Sequence, residues 1–143
     1  MAEYVNNPIQ EVEAGQNVLL LDSIPCSKGY VIHRNGTGIL TLRGIVNNSC
    51  SCFARYQITF NGNIAIPEGE EVGEISVALA LDGEALQTSR ARVTPADVDE
   101  YFNVTSTAII TVPRGCCYTI AVENTSGIPI NVQNANVVTS RIA

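Results

Sequence analysis

At 143 residues, with 45% hydrophobic and 15% charged side chains, the chain suits one domain with a proper core and is too apolar for disorder. Its formal net charge is −6, and Lys28 is the single lysine among eight basic residues. No basic stripe is available to meet phosphates, so neither nucleic acid nor an anionic membrane surface is expected as a partner.

The opening, "MAEYVNNPIQEVEAG", has neither the basic start nor the apolar centre of a secretory leader. It also lacks a two-residue rhythm, so residues 1–14 are expected to form an arm and residues 15–143 the folded domain. "NVLLLD" (17–22) is a nearly continuous apolar run, and "GILTLRGI" (38–45) alternates after the turn "RNGTG". "ARYQITFNGNIAI" is the clearest strand: Ala54, Tyr56, Ile58 and Phe60 share one face, and Arg55, Gln57, Thr59 and Asn61 the other. In "ISVALALDGEAL", Ile75, Val77, Leu79 and Leu81 are expected inward, ahead of the hairpin dipeptide Asp82-Gly83.

"TPADVDEYF" (94–102) carries the one helix signal, with Thr94 as cap and Pro95 at the first position; a single helical turn is expected there. "STAIITV" then runs into "PRG", a turn built from Pro113 and Gly115. In "CCYTIAVEN", Cys116 is in phase with Tyr118, Ile120 and Val122 and is expected in the core, which leaves Cys117 outward with Thr119 and Ala121. In "INVQNANVVTSRIA", Asn131, Gln133 and Ala135 share one face, and Ile130, Val132, Asn134 and Asn136 the other. About eight strands of roughly five to eight residues result, the pattern of an all-β antiparallel sandwich.

Candidate chemistry rests on five cysteines. Cys50 and Cys52 with Cys116 and Cys117 could supply four thiolates, but the spacing is wrong for structural zinc, which favours two to four residues between paired ligands. A disulfide within or between chains is one reading, with Cys117 and either Cys50 or Cys52 favoured; reduced, partly buried thiols are the other. The odd count leaves one cysteine over, and Cys26, after "SIP", is the natural spare. His33 is the sole histidine and sits at a strand end, where a hydrogen-bonded role is commoner than catalysis. No nucleophile elbow, phosphate loop or helical zinc motif occurs, so no enzyme, metal or cofactor is expected.

The stretch "FARYQITFNGNIAI … ISVALALDGEAL … YFNVTSTAIITVPRGCCYTIAVENTSG … INVQNANVVTSRIA" resembles the tumour necrosis factor-like jelly roll, the superfamily that includes complement globular heads. The shared features are an aromatic-alternating central strand, a strand ending in a short polar tip, a "VPRG" turn feeding the penultimate strand, and a strand that closes the chain. The resemblance implies a homotrimer whose sheets meet near a threefold axis. Inter-subunit candidates are Tyr56, Thr119 and Ala121, with Asn134 and Asn136 open to three readings: facing that axis, binding carbohydrate, or a solvated strand end with turn chemistry. Small chains of this kind also resemble structural proteins of phages and prophages of gut Firmicutes. The expected role is a non-enzymatic, virion-associated protein, decorating a capsid or fibre-like, bound to a capsid or other surface protein through its N-terminal arm. It would be made in the cytoplasm and work in the virion or at an extracellular surface. A receptor- or glycan-binding tip, and a cysteine cross-linked surface filament or spore-coat subunit, are the alternatives.

Overall fold

The computed structural model describes residues 1–24, 29–46 and 50–143. Its strands, in chain order, are β1 (Ala2–Asn6), β2 (Gln10–Val12), β3 (Asp22–Ile24), β4 (Val31–His33), β5 (Leu40–Arg43), β6 (Phe53–Ala65), β7 (Ile75–Leu81), β8 (Glu84–Ala85), β9 (Ala91–Val93), β10 (Phe102–Pro113), β11 (Cys117–Asn124) and β12 (Ile130–Arg141). They form two antiparallel sheets. The first runs β10-β6-β12-β1-β3, with β2 also on β12; the second runs β4-β5-β11-β7-β8, with β9 also on β7. From β5 onward the long strands alternate between sheets, which is the winding of a jelly roll.

The core lies between the sheets and follows from the two-residue period. Along β6 the inward Ala54, Tyr56, Ile58 and Phe60 are fully buried, while Arg55, Gln57, Thr59 and Asn61 face away. Facing them from the second sheet are Leu40, Leu42, Leu79 and Ile120, all at 1% exposure or less. Burying each such side chain contributes about 1.5–3 kcal/mol. Asn124 is also fully buried, and its amide links three segments at one end. Nδ2 donates to the carbonyls of Val12 and Ile128, each at 2.9 Å, and Oδ1 accepts from the Ser126 N–H.

Several expectations need correction. Residues 1–14 are not an arm: β1 pairs with β12 on one side and β3 on the other, and β2 pairs with the start of β12. Ala2, Tyr4 and Asn6 point into the core on alternate positions, so the strand rhythm is present but is carried partly by small and polar residues. No helical turn forms over 94–102. Asp97 caps the Val98 N–H with its own side chain, Asp99 takes a positive φ of 54°, and the short 3-10 turn lies earlier, at Gln87–Ser89. β7 is buried on both faces except at Leu81, because the alternate positions Ser76, Ala78 and Ala80 are small and Arg90 lies over Ser76, its Nε 3.1 Å from Oγ.

Candidate assembly surface

The strand register aligns the outward side chains of the first sheet in rows. Cross-strand pairing lines up Thr107, Thr59, Val138, Glu3 and Ile24 in one row over five strands. A second row runs Thr105, Asn61, Asn136, Val5 and Asp22, and a third runs Ile109, Gln57 and Ser140. The polar members of this face bond to one another. Thr59 and Thr107 share a hydroxyl contact at 3.0 Å, and Asn103 Nδ2 donates to Asn61 Oδ1 at 2.9 Å and to Asn63 Oδ1 at 3.1 Å. Thr105 donates to Asn61 as well, and Asn136 Nδ2 donates to the Glu3 carboxylate.

Such cross-strand pairs hold the side chains flat and satisfied, which lowers the cost of covering them. Charge is kept off β10, β6 and β12 except for Arg55 at one end, where its guanidinium lies 4.4 Å over the Phe53 ring; Glu3 and Asp22 lie on the β1-β3 side. Two apolar features flank the face. Ile109, 61% exposed, stands on the marginal strand β10. At the opposite margin an open recess of about 330 Å³ is lined by Met1, Ala2, Glu3, Ile24 and Val138.

The inter-subunit candidates divide. Tyr56 is 0% exposed, with its hydroxyl donating to the Arg43 carbonyl at 2.6 Å, so it belongs to the core and cannot meet another chain. Thr119 and Ala121 lie on the second sheet, where the Thr119 N–H and hydroxyl both donate to Asp82 Oδ1. Asn136 lies on the first-sheet face. Asn134 sits beside it in a β-bulge, with a φ of 56°, and is exposed. The bulge advances the phase of β12 by one residue, so Ala135 and Val137 are buried after Ile130 and Val132. One contiguous surface therefore cannot include both the β11 pair and the β12 asparagines.

The cysteines gather at one end. Cys50, Cys52, Cys116 and Cys117 are all exposed, whereas Cys26 lies outside the described residues. Cys116 is not a core residue: β11 begins at Cys117, and Cys116 closes a turn by donating its N–H to the Pro113 carbonyl at 3.0 Å. A turn residue has no strand phase, so both neighbours reach solvent. Among the described residues, no three His, Cys, Asp or Glu side chains come together as metal ligands would. His33, missed as a packing residue, lies with its ring centroid 4.8 Å from that of Tyr4 and its Nε2 3.0 Å from the Thr37 carbonyl.

No protein-family model matches the chain, and no curated protein matches it. Solved structures do. The globular domain of zebrafish complement 1qA superposes with a TM-score of 0.67 at 16% identity, covering 99% of this chain and 97% of that one. Eiger TNF from S. frugiperda gives 0.67 at 13% identity, covering 100% and 92%. The chain thus has the tumour necrosis factor-like jelly-roll fold from end to end, including residues 1–14. The C-terminal domain of EclA, described as a sugar-binding protein, reaches a TM-score of only 0.42 at 16% identity, covering 94% and 80%.

Proposed function

We propose that the protein is a non-enzymatic structural module that assembles as a homotrimer through the outer face of its first sheet. One observation carries this reading: in a chain of net charge −6, the outward side chains of the three adjacent strands β10, β6 and β12 include no charged residue except Arg55 at one end. Depletion of charge at the centre and a polar rim are the compositional marks of an interface core. A cyclic trimer uses heterologous contacts, in which one flank of a subunit meets a different flank of the next. Ile109 at one margin and the recess at Ile24 and Val138 at the other are suited to that arrangement.

The proposed setting is a virion or another extracellular surface, as a capsid decoration or fibre-like element. Exposed thiols are stable as disulfides outside the reducing cytosol, and four of this chain's cysteines are exposed. Attachment to a capsid or neighbouring protein would use a loop end, because residues 2–6 and 10–12 are committed to the sheet.

Sedimentation equilibrium tests the assembly: a trimer is expected, and Ile109→Arg should dissociate it while leaving the circular dichroism spectrum intact. A wild-type chain that stays monomeric at high concentration overturns the reading. Mass-spectrometric detection of the chain in purified particles tests the setting.

A further inference from the structure

The turn that carries the chain from β10 in the first sheet to β11 in the second presents two adjacent cysteines, Cys116 and Cys117, both exposed. Residues 113–117 are exposed without interruption, and the tip is clamped from both sheets. Arg114 N–H donates to the Cys52 carbonyl at 2.9 Å on one side. On the other, the Gly44 N–H donates to the Cys116 carbonyl at 2.8 Å, and the Gly44 carbonyl accepts from the Gly115 N–H at 3.0 Å. The thiols of Cys116 and Cys117 are therefore presented on a fixed scaffold.

Geometry limits what these thiols can do within one chain. Adjacent residues have Cα atoms about 3.8 Å apart, short of the roughly 4.4–6.8 Å that a disulfide spans. Cys116 and Cys117 thus do not close on each other without distorting the peptide between them. Cys117 pairs with Arg43 in the second sheet, whereas Cys52 lies across from Arg114 at the edge of the first. Cys52, Cys116 and Cys117 are free thiols in the structure, so no intra-chain bridge ties the tip down.

We propose that the Cys116-Cys117 tip is an oxidative docking site for the same tip of a second copy, joined by reciprocal Cys116–Cys117 disulfides. A twofold meeting of identical tips is isologous, so each Cys116 meets the partner copy's second thiol and the pair of bonds closes the contact. The oxidant is a low-molecular-weight disulfide. A tip thiolate attacks it, forming a mixed disulfide and releasing one small thiol with its electron pair. A thiolate of the second tip then attacks the protein sulfur, forming the inter-chain bond and releasing the second small thiol. Each inter-chain disulfide consumes one small disulfide and yields two small thiols. The tip projects from the end of the sandwich where β6 begins, not from the five-stranded face, so this link is independent of the proposed trimer and joins two assemblies end to end.

The test is to incubate the full chain with oxidised glutathione, block remaining thiols, and compare non-reducing gels with peptide maps. The expected product is a chain dimer that collapses on reduction, with its cross-linked peptides containing Cys116 and Cys117. Cys50→Ser/Cys52→Ser should still give the dimer, and Cys116→Ser/Cys117→Ser should lose it while keeping the wild-type circular dichroism spectrum. A disulfide confined to one chain, a dimer that survives in Cys116→Ser/Cys117→Ser, a ladder of higher species, or no cross-link at all would each overturn the proposal. Sedimentation under reducing conditions reads the trimer separately, so the failure of either is distinguishable.

Discussion

Tyr56 on β6 reaches across the sandwich to Arg43 on β5, its hydroxyl 2.6 Å from the main-chain carbonyl and 3.3 Å from that of Tyr30. A fully buried hydroxyl here joins the two sheets beside the end that carries the exposed cysteines. Tyr56→Phe keeps the ring but leaves a carbonyl short of its donor. A loss of about 1–3 kcal/mol is expected in urea denaturation. An unchanged midpoint would show that the link contributes nothing.

Gly44 lies under the cysteine-bearing tip with no room for a side chain. A Cβ there would sit 2.2 Å from the Pro113 oxygen and 2.9 Å from the Cys116 oxygen, both main-chain atoms that cannot swing aside. Gly44→Ala should cost about 1–3 kcal/mol, as overpacking does. It should also displace the tip, so that alkylation of Cys116 and Cys117 by a maleimide changes rate. Wild-type stability together with wild-type alkylation kinetics would contradict the packing described.

Asn134 holds the bulge of β12 with a positive φ of 56°, a region in which a β-branched side chain is strained. Asn134→Val is expected to lower stability by about 1–2 kcal/mol, whereas Asn134→Gly should be nearly neutral. Thermal unfolding of the two variants side by side measures the difference. Equal midpoints would mean that the bulge is not fixed by this residue.

That bulge also shows where sequence reading stops. β6 was legible because twelve of its residues, Phe53 to Ile64, alternate without a break, and the match between Asp82-Gly83 and a hairpin tip needed only local turn chemistry. β12 was not legible in phase, because a single residue in the left-handed region exchanges the faces of everything after it. Cys116 escapes the two-residue period for a related reason: it belongs to the turn that ends one residue before β11 begins. The assembly face was visible only in part. Gln57, Thr59 and Asn61 read as outward, but their alignment with Thr107, Val138 and Glu3 depends on pairings between strands distant in sequence. Propensity carries no record of such register.

The N-terminal segment separates the expected arm from the observed strand most sharply. Tyr4 is 1% exposed and packs on His33, Ala2 is 3% exposed, and β1 fills the gap between β12 and β3. Deleting residues 1–8 would strip one edge of β12 of its partner and unroof the core beneath Tyr4. Loss of an aromatic side chain of this kind alone costs about 3–5 kcal/mol, a large share of the roughly 5–15 kcal/mol that stabilises a domain. The truncated chain is therefore expected to unfold far below the wild-type temperature or to aggregate through the opened strand edge. A chain without residues 1–8 that melts like the full protein would restore the arm and remove β1 from the sheet. Tyr4→Phe tests the same strand more gently, since it retains the ring against His33 and should leave the melting temperature far closer to wild type than the deletion does.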